Sequence, residues 1–133
     1  MSFGQREFAN LEKPEIEFPD HEVPTELVIQ DLVEGTGAEA QSGSTVSAHY
    51  VGVAFSTGEE FDSSYGRGAP LDFRVGVGQV IQGWDQGLLG MKVGGRRRLE
   101  IPSGLAYGER GAGGAIGPNE ALIFVVDLVG VRG

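Results

Sequence analysis

Few residues in this chain could carry covalent chemistry. There is no cysteine, and there are two histidines: His21 in an acidic stretch and His49 in a run of alternating apolar residues. Asp62, Ser63 and Ser64 stand together, but no G-x-S-x-G turn surrounds them to present a serine to a base. A hydrolytic triad is therefore not expected. The histidines are far apart and the carboxylates lack the spacing of a calcium loop, so no metal site is expected either. "GERGAGGAIG" lacks the lysine and Ser/Thr of a phosphate-binding loop, and no helical pattern follows it. It reads as a glycine-rich flap between two strands, long enough to suggest a role at a site.

What remains is aromatic: Tyr50, Phe61, Phe73, Trp84, Tyr107 and Phe124. Such a set could simply fill a core. Two features point further. Tyr50 and Tyr107 carry hydroxyls that need partners when buried, and Asp62 follows Phe61, which sets a carboxylate at the rim of the apolar cluster. A largely apolar cavity with a few placed polar groups is how small-ligand sites are built.

These residues sit on elements that can be read from periodicity. Residues 1–24 are polar, acidic and broken by Pro14, Pro19 and Pro24; they read as a flexible, solvated arm, with "PEIEF" able to lie along a sheet edge. From 25 to 133 the pattern is that of one folded domain. "ELVIQDLV" is apolar and β-branched. In "STVSAHYVGVAF", Val46, Ala48 and Tyr50 share one face and Ser47, His49 and Val51 the other. "EFDSS" is a short strand, "LDFRVG" lines up Leu71, Phe73 and Val75, and "RRRLEIP" lines up Leu99 and Ile101. "ALIFVVDLVGV" puts Leu122, Phe124, Val126 and Leu128 on one face. The spacing of Ile81, Trp84 and Leu88 predicts a single helix over 79–89. The fold expected is α+β: antiparallel strands wrapped around one short helix, which needs the sheet for its stability.

Composition narrows the partners. The net charge is −9, and it is concentrated in residues 1–40, which carry ten acidic and two basic side chains. A phosphate backbone would repel this segment, so no nucleic acid is expected. Arg96, Arg97 and Arg98 read as a solvated edge or loop with buried stems. No apolar run approaches the roughly 18 residues of a membrane span, and the N-terminus lacks the apolar core of a secretory signal. A cytoplasmic monomer is expected.

Three stretches in register resemble the FKBP-type peptidyl-prolyl cis/trans isomerases: "VSAHYVGVAFSTGEEFDSS", "VIQGWDQGLLGMKVGGRRRLEIPSGLAYG" and "GPNEALIFVVDLVGV". The resemblance runs from about Thr25 to Val131. It implies a half-barrel of five or six antiparallel strands around the helix, and rotation of X–Pro bonds in peptides and folding proteins without a cofactor. It also implies binding of macrolide inhibitors. By position in these motifs, Asp62, Tyr107, Trp84, Phe61 and Phe124 would be catalytic. Tyr50, Leu71, Phe73, Val80, Ile81 and Ile116 would bind substrate, and the Ile81 N–H would be a donor to a ligand carbonyl. Arg67 sits where an arginine pairs with the acid. The flap departs from many relatives in having Ala112 in place of a histidine, and Leu71 stands where an aromatic is common. A proline-segment or macrolide binding module, or a folding helper, with little turnover is the alternative expectation.

Overall fold

Alternation over Thr45–Ala54 makes a strand with two unlike faces, and this strand organises the molecule. The computed structural model describes residues 12–133; residues 1–11 of the expected N-terminal arm lie outside the described residues. In chain order the elements are β1 (Val28–Val33), β2 (Thr45–Ala54), β3 (Glu60–Ser63), β4 (Leu71–Arg74), α1 (Gln82–Gly87), β5 (Arg96–Ile101) and β6 (Leu122–Arg132). The strands form one antiparallel six-stranded sheet in the order β1-β5-β6-β2-β3, with β4 also paired to β2. β4 takes the first part of β2, with Phe73 opposite Val46, and β3 the later part, with Asp62 opposite Gly52. The sheet is not closed, and the single short helix packs on one face. This is the α+β architecture expected from the strand periodicity.

The core lies between sheet and helix. Val46, Ala48 and Tyr50 of β2, Leu99 and Ile101 of β5, and Leu122, Phe124, Val126 and Leu128 of β6 cluster with Trp84 and Leu88. Full burial of one such side chain stabilises by about 1.5–3 kcal/mol, which holds a helix too short to persist alone.

The helix is shorter than the spacing predicts. Ile81 keeps an extended ψ of 152°. The residues before it are folded into a loop by Asp85, whose carboxylate accepts the Gly76 and Gly78 N–H groups at 2.8 Å each. Gly83 and Gly87 let α1 lie close on β5. A β-carbon at Gly83 would stand 2.5 Å from Ile101 Cγ2, and one at Gly87 would stand 2.9 Å from Leu99 Cδ2.

The arginine run departs from the expected solvated edge. β5 lies between β1 and β6, so its guanidinium groups are largely withdrawn from water and each meets a carboxylate. Arg96 pairs with Asp127 at 2.8 Å, Arg97 with Asp31 at 2.6 Å, and Arg98 with Glu100. Arg97 also donates to the Gly87 and Leu89 carbonyls at 2.9 and 3.1 Å. Carbonyls at a helix end otherwise lack partners.

Residues 12–24 contain no strand or helix. They cross the outer face of the sheet rather than following its edge. Ile16 packs against Val53, Phe55, Ala121 and Ile123, Lys13 pairs with Glu60 at 2.8 Å, and His21 Nε2 meets the buried Glu100 at 2.8 Å.

Candidate active site

Trp84 is the most enclosed part of the site. It follows Gly83 in the first turn of α1, is 4% exposed, and faces rings from three strands. Tyr50 of β2 and Phe124 of β6 meet it edge-on, at centroid distances of 5.0 and 5.2 Å. Phe73 of β4 tilts against it at 5.4 Å. Phe61 of β3 stands edge-on to Phe124 at 5.5 Å. Edge-to-face arrangements set the positive rim of one ring on the negative face of the next, which favours this geometry beyond burial alone. The indole N–H has no hydrogen-bond partner among the described residues.

Above this floor is a concave pocket of about 470 Å³. Its apolar wall is made by Phe61, Leu71, Val80, Ile81, Phe124 and the ring of Tyr50. Asp62 and Tyr107 supply polar atoms, and Gly78 and Gln79 complete the lining. Nine of the eleven residues singled out in the sequence therefore share one cavity surface. Phe73 and Ile116 do not reach that surface. Phe73 stands behind Trp84. Ile116 is 5% exposed and joins the core cluster, drawn in because its N–H and C=O close the flap through hydrogen bonds with Ala112.

A polar triad borders the pocket. The Tyr50 hydroxyl donates to Asp62 Oδ2 at 2.6 Å and accepts from Arg67 Nη2 at 2.7 Å. Arg67 Nη1 donates to Asp62 Oδ1 at 2.8 Å, and the Ser63 N–H donates to the same oxygen at 2.9 Å. Arg67 also lies 5.6 Å from the centre of the Tyr50 ring. It reaches this place from a single 3-10 turn, Tyr65–Arg67, which ends at Gly68 with φ of 74°. Burial would raise the Asp62 pKa, but the hydrogen bonds from Tyr50 and Arg67 outweigh it and hold the carboxyl below its usual range. The acid is thus ionised and fully engaged at neutral pH. Burial first, and then the bond to Asp62, push the Tyr50 hydroxyl pKa up. Burial, reinforced by the charge of Asp62, does the same for Tyr107, so both hydroxyls keep their protons.

Besides the indole N–H, the Tyr107 hydroxyl and the Ile81 N–H have no partner among the described residues. Tyr107 is 39% exposed at the rim. Among the described residues there is no group of His, Asp and Glu able to hold a metal ion, and no helix long and apolar enough to cross a membrane.

Gly52 was not singled out by sequence, yet it shapes the cavity. A β-carbon there would stand 2.6 Å from both Phe124 Cε1 and Phe61 Cζ, so the two rings can meet only across a bare backbone. A glycine inside a β-branched strand is the available signal for such an approach.

The description "FKBP-type peptidyl-prolyl cis-trans isomerase" belongs to a family model that matches residues 37–129. An FK506-binding protein of Streptomyces anulatus is 66% identical over 123 residues, covering 92% of this chain and 99% of that protein. The peptidyl-prolyl cis-trans isomerase FPR2 of Saccharomyces cerevisiae is 53% identical over 100 residues, 75% of this chain and 74% of the relative. Among solved structures, AtFKBP13 aligns with a TM-score of 0.75 at 45% identity, over 84% of this chain and 96% of its own. A peptidyl-prolyl cis-trans isomerase of Pseudomonas syringae aligns with a TM-score of 0.72 at 34% identity, over 91% and 84%. With the sheet, the helix and the aromatic pocket in agreement, this chain belongs to the family of FKBP-type peptidyl-prolyl cis-trans isomerases.

Proposed function

We propose that the pocket above Trp84 is where this isomerase rotates X–Pro bonds, by taking the bond out of water and holding it at both sides. Twisting an amide breaks its resonance against a barrier of about 18–20 kcal/mol. No covalent step is required. The twisted amide is less dipolar than the planar one, so an apolar enclosure disfavours it less than it disfavours the ground state, and binding is stronger at the transition state. The proline ring rests on Trp84 between Tyr50, Phe61 and Phe124. The Ile81 N–H and the Tyr107 hydroxyl donate to substrate carbonyls. Asp62, fixed by Tyr50 and Arg67, orients the polar side of the pocket. Leu71 and Val80 complete the apolar wall, while Phe73 and Ile116 belong to the core that supports the site.

The observation that carries this reading is the set of rings around Trp84, two of them edge-on to it, with a satisfied carboxylate at the pocket's edge. It suits a compact apolar ring attached to a polar chain, and the same chemistry suits a macrolide that presents such a ring. The partners proposed are proline-containing peptides, unfolded and folding proteins, and macrolide inhibitors, met by a monomer in the cytoplasm.

The test is a proline-peptide isomerisation assay with and without FK506. Acceleration by the wild-type chain, abolished by the macrolide and reduced in Trp84→Ala and Asp62→Val, is expected. Acceleration that persists unchanged in both variants would place the chemistry elsewhere, and macrolide binding without acceleration would favour a binding module.

A further inference from the structure

We propose that Asp85 is a positioning residue for isomerisation, clamping the loop that forms one wall of the pocket to the helix that carries its floor. The inference rests on the reading of this pocket as the isomerase site.

Asp85 is in the first turn of α1, directly after Trp84. Its Oδ1 accepts the Gly76 N–H and its Oδ2 the Gly78 N–H, each at 2.8 Å. Both glycines have left-handed backbones, with φ of 83° and 85°. That conformation suits glycine and turns the two amides toward one carboxylate. Bonds to an ionised acceptor are the stronger kind. The loop is held elsewhere at its start: the Arg74 N–H donates to Gln79 Oε1 at 2.9 Å, and the Gly43 N–H donates to the Val75 carbonyl at 2.8 Å. From this loop come Gly78, Gln79, Val80 and Ile81 of the pocket lining. At its end the loop is tied to the helix by the Ile81 carbonyl, which accepts the Trp84 and Asp85 N–H groups at 2.9 and 3.1 Å. The Asp85 carboxylate holds the stretch before it and so sets how the Gly78–Val80 part of the wall stands over the Trp84 floor.

The consequence separates positioning from plain stability. Gly78 is exposed and Gly76 half-buried, so amides released from Asp85 can turn to water. The fold tolerates that loss, but the wall does not stay in place. When only part of the population has the wall in register, apparent binding weakens in proportion to that fraction. The defect belongs in KM.

The experiment compares Asp85→Ala, Asp85→Asn and Asp85→Glu in the full chain, by isomerase kinetics and by hydrogen exchange of the Gly76 and Gly78 amides. In Asp85→Ala, kcat/KM falls about tenfold, mainly through KM, while both amides exchange faster. Asp85→Asn is nearly isosteric, keeps one acceptor oxygen and falls between. Asp85→Glu, with two acceptors on a longer stem, recovers most of the loss. Unchanged kcat/KM in the Ala and Asn variants overturns the proposal, as does a loss confined to kcat or one that Glu fails to rescue. If Asp85→Ala does not fold, Asp85→Asn decides alone. A wild-type chain with no isomerase activity refutes the underlying reading instead, and amide exchange then tests the clamp by itself.

Discussion

Replacing Gly83 with alanine sets two known effects against each other. Alanine in place of glycine favours a helix by up to about 1 kcal/mol. Against this, the new methyl would stand 2.5 Å from Ile101 Cγ2, 2.6 Å from its Cδ1 and 2.9 Å from its Cγ1. Ile101 is fully buried in β5, so it cannot swing clear into solvent. Overpacking of a tight core costs about 1–3 kcal/mol, and three simultaneous close approaches put this site at the upper end. The net expectation is a loss of about 2 kcal/mol, which in a domain of this size lowers Tm by about 6–8 °C. Thermal or urea unfolding of Gly83→Ala measures it. The decisive comparison is the same change in an Ile101→Ala background, where the obstructing atoms are gone. There the helix preference acts alone, and Gly83→Ala should stabilise by up to about 1 kcal/mol. Coupling of that size is expected only for residues in contact. If Gly83→Ala destabilises equally in both backgrounds, the close approach of helix and sheet is not why position 83 is glycine.

Three further outcomes follow from the geometry. Gly52→Ala should destabilise by about 1–3 kcal/mol and weaken peptide and macrolide binding, because Phe61 and Phe124 must part; binding at wild-type strength would refute the account of the wall. Tyr50→Phe removes a hydrogen bond that helps hold the Asp62 pKa down. A depressed carboxyl contributes stability above its unfolded pKa and loses it as pH falls through the folded value, so in this variant the acid limb of a stability profile should move to higher pH. His21 has its pKa raised above 6.5, first by its hydrogen bond to Glu100. That contribution is complete below about pH 6.5 and is lost as pH rises through the folded value. An NMR titration should place the His21 midpoint above 6.5, and a midpoint at or below that value would mean the contact with Glu100 is not kept in solution.

The parts of the fold legible in the sequence are those governed by local periodicity. The inward-facing sets of β2 and β6 follow from period-two spacing, although both strands are in part buried on both faces, and Trp84 and Leu88 follow from helical spacing. The helix boundary was not legible, because Ile81 is held extended by a loop that depends on a carboxylate four residues later. The burial of Arg96, Arg97 and Arg98 was hidden for a similar reason. Three adjacent cations look solvated until Asp127, Asp31 and Glu100 are brought to them by strand pairing. Within the pocket, aromatic residues and Asp62 carried a signal by type alone. Gly52 and Gly78 carried little, since their role is to leave space or to turn the chain. Ile116 and Phe73 show the converse: apolar side chains near a cavity and behind it look the same in one dimension.

The solitary tryptophan has a practical consequence. The chain has one tryptophan and three tyrosines, so red-edge excitation draws emission from a single ring at a known depth. A guest resting on Trp84 alters the surroundings of that ring directly, while unfolding moves it from an apolar enclosure into water. Occupancy and folding can therefore be followed by the same unlabelled optical signal, and the proposed variants around the pocket can be compared without a reporter peptide.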